Sequence, residues 1–232
     1  MKPVKCEIAM TRYTLLTAVA GLTLQFAACT TDSYETGEGT YSRMVADFAE
    51  LKSNDQKQGV SFVTDDGVSY ALESAYTAWW ILKEDSTYRT SIYYIPLAEG
   101  RARIKSCSNI PTLRAKKASE MKQQPQDPIN VESCWLSKSG KYLNMALLMK
   151  NGRYDNGKEG VHQLTVVLDE SHKNADNTIT NYYRLLHDKG TALDYYTNRY
   201  YVSMALPADQ RPDSVRLSIK TYDGVYVKTV KI

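Results

Sequence analysis

Cys29 is the residue whose surroundings most plainly call for chemistry. An apolar run from Tyr13 to Phe26 closes on Ala27-Ala28 just ahead of it, and Thr30-Thr31-Asp32-Ser33 follow at once. Arg12, a short hydrophobic stretch and two small residues before a thiol predict cleavage after Ala28 and acylation of the Cys29 sulfur. Thr14, Thr17, Thr23 and Gln25 interrupt the run, and it falls short of the roughly 20 apolar residues a spanning helix needs, so it reads as a signal. Phe26 stands where Leu is usual, three residues before the cysteine. Residues 1 to 9 contain Cys6 and Glu7 and look unlike a basic leader, which leaves Met10 as an alternative start.

The other reactive side chains form no signature. With Cys6 removed and Cys29 acylated, Cys107 and Cys134 are the pair that could bond in an oxidising compartment. Such a bridge would contribute about 3 to 4 kcal/mol in the chain-entropy model, against the alternative of two small buried thiols. His162, His172 and His187 lack partners at ligand spacing, His162 and His187 fall in expected strands, and no set of three or four donors suggests a metal or cofactor. There is no G-x-S-x-G elbow and no pair of carboxylates that the sequence assigns to one site, so no catalytic residue is named. Two clusters could serve binding. Arg101, Arg103 and Lys105 alternate along one expected strand, ahead of Arg114, Lys116, Lys117 and Lys122; they suit an acidic or phosphate-bearing partner, or simply a charged edge strand. Trp79-Trp80 with Tyr93-Tyr94, and Tyr195-Tyr196 with Tyr200-Tyr201, could stack on sugar rings. Neighbours on a strand point to opposite faces, so one of each pair packs inside; Trp80 and Tyr94 are the expected exposed members.

The elements that must position these residues are strands. Tyrosine is abundant, 18 against 3 Phe, which suits sheets with one wet face. Val60 to Val63, Asp65-Asp66-Gly67 and Val68 to Leu72 read as a hairpin; further strands are expected at Arg89 to Ile95, ended by Pro96, and at Arg101 to Cys107. About five short strands in so few residues suit a small barrel. Pro111 to Pro128, rich in Lys, Gln and Pro, reads as a linker. Beyond it the alternation is clean: Leu143, Met145, Leu147 and Met149 share a face, as do Val215, Leu217 and Ile219, and Tyr200, Val202, Met204 and Leu206. Tyr222-Asp223-Gly224 is a second turn before a last strand, and six or seven such strands make a sandwich. The expected organisation is a signal at 1–28, a polar tether at 29–40, a barrel at 41–107, a linker at 108–127 and a β-sandwich at 128–232.

The cysteine signal and the Asp-Asp-Gly hairpin are followed by Asp127-Pro128-Ile129-Asn130-Val131-Glu132-Ser133-Cys134-Trp135 with Gly140-Lys141-Tyr142-Leu143-Asn144, by His162-Gln163-Leu164, by Tyr183-Arg184-Leu185-Leu186-His187-Asp188 and by the closing Tyr-Asp-Gly strand. This order of parts resembles the NigD-like lipoproteins of Bacteroidetes. It implies an all-β chain, an OB-like barrel followed by an immunoglobulin-like sandwich, and a bacteriocin operon in which an immunity role was suggested. It carries no catalytic residues. Losing residues 1–28 lowers the formal charge from +3 to +1, which argues against nucleic acid as a partner. The expected function is that of a lipid-anchored, non-enzymatic cell-envelope protein of the outer membrane, on its periplasmic or surface face, held by its N-terminal lipid and binding a protein or glycan. Immunity to a bacteriocin and an envelope hydrolase are the alternatives. The oligomeric state is left open.

Overall fold

A computed structural model describes residue 39, residues 42–209 and residues 211–232. The cleavage site, Cys29 and most of the tether lie outside the described residues.

The chain from residue 45 onward is built from strands. β1 (Val45–Ser53), β2 (Gly59–Thr64), β3 (Ser69–Tyr76), β4 (Thr87–Pro96) and β5 (Arg101–Asn109) close into a barrel in the order β1-β2-β3-β5-β4. The expected hairpin joins β2 to β3 through Asp65-Asp66-Gly67, with Gly67 at φ 82°, a conformation glycine adopts without steric penalty. Parallel pairing of Ala71 and Leu72 with Arg101 and Ala102 completes the closure. Along β1 and β4 the period-2 pattern places Ala49, Leu51, Ile92 and Tyr94 inside, against Phe62, Ala102 and Cys107. From the segment between β3 and β4, Ile81 joins this core and Trp80 packs against it, across Tyr76 and Tyr88.

The expected linker contributes to the sheets that follow. β6 (Thr112–Arg114) and β7 (Lys116–Lys117) are short strands, and a 3-10 turn occupies Ala118–Glu120. β6 lies parallel beside Ser203–Ala205, and β7 parallel beside Val167–Leu168, so the chain changes sheets at Ala115. Strands of three and two residues carry too little alternation to stand out in a sequence.

The remaining strands are β8 (Asn130–Leu136), β9 (Tyr142–Asn151), β10 (Gln163–Lys173), β11 (Ile179–Asp188), β12 (Tyr196–Ala205), β13 (Ser214–Thr221) and β14 (Gly224–Lys231). They form a five-stranded sheet, β14-β13-β11-β10-β7, and a four-stranded sheet, β6-β12-β9-β8. Between the sheets lies one core, in which Leu143, Met145, Leu147 and Met149 of β9 meet Val166, Tyr183, Leu185, Val215, Leu217 and Ile219. The faces expected from alternation in β9, β12 and β13 are the faces that are buried. The five-stranded sheet is mixed, since β11 and β13 run parallel.

The cysteines depart from the bonded pair. Cys107 packs in the barrel core and Cys134 in the sandwich core, and both are free thiols. Each sits on the inward face of its own strand, so the two side chains belong to different interiors. Burial pushes both thiols up to about 11.

Candidate functional site

The outward face of the four-stranded sheet is not left to solvent, because the barrel rests on it. Arg89 on β4 is an odd-phase residue, pointing out of the barrel, and is nonetheless only 4% exposed. Its guanidinium meets both oxygens of Asp65, at 2.5 and 2.6 Å, and reaches Asn144 Oδ1 on β9 at 3.1 Å and Ser203 Oγ on β12 at 3.3 Å. Ser203 donates to the same Asn144 oxygen at 2.8 Å. The cation also lies 4.2 Å from the Tyr142 ring centroid and 5.4 Å from that of Phe48. Arg89 is thus anchored within the barrel by Asp65 and reaches across to the sandwich through its bonds to Asn144 and Ser203.

Beside this latch, Glu50 of β1 accepts from Tyr142 Oη at 2.7 Å and from Lys141 Nζ at 2.9 Å. Burial alone would raise the Glu50 carboxyl, but the hydrogen bonds from Lys141 and Tyr142, with the Lys141 and Arg89 charges, together hold it below its ordinary value. Burial first, and the Glu50 carboxylate second, push Tyr142 up to about 12. Asp66 and Lys138 form a further pair across the junction at 2.7 Å, open to water.

Where the latch ends, the junction opens into two neighbouring grooves that share Ser91 and Tyr201 as walls. The first, of about 430 Å³, runs between Asp47, Ser91 and Tyr93 of the barrel and Trp135, Lys138 and Tyr201 of the sandwich. Phe48 forms part of its floor, 5.5 Å from Trp135 and 5.4 Å edge-on from Tyr201, centroid to centroid. The second, of about 700 Å³, is more apolar, with Ile110, Pro111, Leu113 and Leu164 along it and His162 on its wall.

His162 and His187 are in contact, whereas the sequence offers no reason to pair them. His162 precedes β10 instead of lying in a strand, and its Nδ1 is 2.9 Å from His187 Nε2. His187 Nδ1 faces the Asp127 carbonyl at 3.3 Å, and His162 Nε2 faces Asn151 Oδ1 at 3.0 Å. The Asn151 amide nitrogen donates to the Met149 carbonyl. Assigned from these partners, the row has acceptors at both ends, so its three contacts need three ring N–H groups; two neutral imidazoles supply two. A single shared proton would complete the row. Burial opposes that proton and lowers both histidines, helped at His162 by the charge of His187. Among the described residues no group of three or more His, Cys, Asp or Glu is arranged to hold a metal ion.

The aromatic phase is the reverse of the expected one. Tyr94 is 3% exposed, inside the barrel with its hydroxyl on Asp47 at 2.9 Å, while Tyr93 is 44% exposed and lines the first groove. Trp79 is 88% exposed, and Trp80 packs on the barrel core. Alternation is correct for β4, but its phase is set by Ile92 and Thr90 pointing inward, and Trp79-Trp80 sit in a turn where the rule has no force. Of the basic strand, Arg101 and Arg103 share the outer face as expected, but Arg103 is held bidentately by Glu73 at 2.5 and 2.8 Å, and Arg101 lies 3.9 Å from Glu99. Lys105 falls at the register shift opposite Tyr93 and Tyr94, on an exposed bulge. The charges of β5 are therefore largely answered within the barrel. The residues missed were Arg89, Asp65, Asn144 and Ser203, which come from four separate elements; a lone Arg in a Thr-rich, aromatic strand was the one local hint.

No protein-family model matches the chain, and no curated protein matches it. Solved structures do. A NigD-like immunity protein from Bacteroides caccae is 21% identical, covers 81% of this chain and 92% of its own, and superposes with a TM-score of 0.58. A protein from Parabacteroides distasonis described as toxin-related is 14% identical over 82% and 93% of the two chains, TM-score 0.59. A protein from Bacteroides fragilis described as a candidate lipoprotein is 12% identical over 82% and 97%, TM-score 0.53. At these identities the likeness is one of fold, extending over almost the whole length of each neighbour. None of the three is described as an enzyme.

Proposed function

We propose that this chain is a lipid-anchored, non-enzymatic protein of the cell envelope, of the NigD-like type, that binds a partner in the groove where its barrel and sandwich meet. The observation that carries this reading is the contrast within the junction: a buried Arg89–Asp65–Asn144–Ser203 latch fixes the lobes against each other, and next to it Tyr93 of the barrel and Tyr201 of the sandwich are left exposed in one groove. A rigid frame around exposed aromatic surface is what a recognition site requires. The strand order β1-β2-β3-β5-β4 with a parallel β3–β5 pair supports the OB-like description of the barrel, and two facing sheets around one core support the sandwich at 128–232, with β6 and β7 reaching into it from the preceding segment. The likeness to a lipoprotein neighbour and the signal ahead of Cys29 support acylation and an outer-membrane address.

The test is made in cells. A photo-reactive residue replacing Ser91 is expected to yield adducts that vanish when Tyr201 is changed to Ala, whereas the same residue replacing Trp79 yields none. Absent or equal labelling at the two positions rejects the groove. Cys29→Ala is expected to abolish fatty-acid labelling and release the protein from membranes, and protease treatment of intact against lysed cells assigns the face. A second reading, protection against a bacteriocin, draws on the description of the B. caccae neighbour; it requires that deletion sensitise the cell to one toxin, and unchanged survival removes it.

A further inference from the structure

We infer that the first groove is a carbohydrate subsite, taking a neutral sugar chain; this rests on the reading of the junction as a binding site and names its ligand. Sugars combine an apolar C–H face with a rim of hydroxyls, and the groove answers both. Tyr93 and Tyr201 line it, 44% and 39% exposed, together with Trp135 and Phe48. Rings of this kind offer broad faces at little conformational cost, and Tyr keeps a hydroxyl for the wet side. The polar groups are short and fixed. Asp47 has one carboxylate oxygen engaged by Tyr94 Oη, which orients the side chain, and Ser91 lines the same groove as a hydroxyl donor and acceptor. The volume, about 430 Å³, lies in the range of small-ligand sites.

Charge selects among glycans. The groove's cation, Lys138, is already paired with Asp66, and Asp65 with Arg89, so Asp47 leaves the lining net acidic. A phosphorylated or uronate-bearing chain would meet like charge here. The second groove shares Tyr201 but sets Arg199 against Glu159 among Ile110, Leu113 and Leu164, so it has no net acidic lining and more apolar surface. Trp79, though the most exposed ring, stands alone on a turn away from both grooves.

The experiment is native affinity electrophoresis of the purified full chain in a polyoxyethylene detergent, because alkyl-glycoside detergents would compete. Gels contain dextran, mannan, xylan or anionic polygalacturonate. At least one neutral polymer should retard the chain while polygalacturonate does not. Tyr93→Ala and Tyr201→Ala should each weaken retardation tenfold or more, and Trp79→Ala should leave it unchanged. Ser91→Trp, which fills the groove while leaving both tyrosines in place, should abolish it. No retardation by any neutral polymer, or retardation that Tyr93→Ala leaves intact, overturns the carbohydrate assignment. Preferred binding of polygalacturonate overturns it as well. If Ser91 adducts in cells then prove to be protein and depend on Tyr201, the groove remains a binding site with a different ligand; if adducts are also absent, both readings fall.

Discussion

Removing Asp65 should harm this protein more than removing Arg89, and the difference tests whether the junction is held by a buried charge or only by packing. In Asp65→Ala the Arg89 guanidinium stays where it is, its side chain 2% exposed, with Asn144 Oδ1 and Ser203 Oγ as its remaining oxygen partners. Losing one partner of a buried pair typically costs about 3–5 kcal/mol. Asp65 is itself 16% exposed, so water reaches the vacancy and the lower half of that range, about 3 kcal/mol, is the expected cost. In Arg89→Met the charge is gone, the aliphatic stem still fills the space below Tyr142, and Asp65 can turn to water or keep the Asn144 amide at 3.4 Å. The loss is then the hydrogen bonds to Asn144 and Ser203 and the cation–π contacts with Tyr142 and Phe48, about 2 kcal/mol.

The double variant should recover part of the Asp65→Ala cost, giving a coupling energy of about 1.5–3 kcal/mol. Urea unfolding at pH 7, followed by both tryptophan fluorescence and far-UV circular dichroism, measures all four corners of the cycle; Asp65→Ala should also lower Tm by roughly 6–12 °C for a unit of this size. Arg89→Met at least as damaging as Asp65→Ala, or a coupling below about 0.5 kcal/mol as at exposed surface pairs, would falsify the reasoning.

Two further outcomes follow from burial. Both His162 and His187 titrate below the usual imidazole value of about 6.5, so the unfolded chain binds more protons between the two values; their contribution to stability is complete above about pH 6.5 and is lost as pH falls through the lowered folded values. Urea midpoints should therefore drop between pH 7.5 and 5.5, and His187→Gln should flatten that slope; an unchanged slope contradicts the assignment. Cys107 and Cys134, with thiols pushed up to about 11 inside separate cores, should resist a thiol reagent in the native state at pH 8 and react fully in urea; formation of an intramolecular bridge under mild oxidation, seen as a mobility shift reversed by reductant, would contradict their placement.

What the sequence makes legible is what period-2 alternation encodes. Leu143 to Met149 and Val215 to Ile219 bury the expected faces because a strand with a single apolar face has one stable orientation against a core. The Asp65-Asp66-Gly67 turn is equally local, since Gly67 adopts the left-handed conformation the reversal requires. Phase is harder. In β4 both parities carry apolar or aromatic residues, Tyr88, Ile92 and Tyr94 on one and Tyr93 and Ile95 on the other; the first set, with Thr90, points inward, and Arg89 of the second faces the sandwich, where Asn144 and Ser203 receive its charge. The same holds for the histidines. His162 and His187 are 25 residues apart and meet because β10 and β11 pair antiparallel, with Leu164 opposite His187.

The junction is where these non-local facts converge, which explains why the proposed binding groove is hidden from a strand-by-strand reading. On β12 alternate residues do separate work: Tyr200, Val202 and Met204 fill the sandwich core, while Tyr201 and Ser203 face the barrel. Ser203 is sealed beneath Arg89, and Tyr201, two residues earlier on the same face, stands open at the groove. β4 repeats the division, with Arg89 sealed and Tyr93, four residues on along the same face, exposed. Two strands from different lobes thus pass, in step, from latch to groove. The latch residues fix the separation of the tyrosines that follow them, so a change at Arg89 or Asp65 should alter ligand affinity even though neither side chain need touch the ligand. Arg89→Met, folded and assayed at 10 °C, should weaken polysaccharide retardation while leaving the Glu50–Lys141 side of the junction intact; retention of full affinity would mean that the groove owes its shape to the barrel or the sandwich alone.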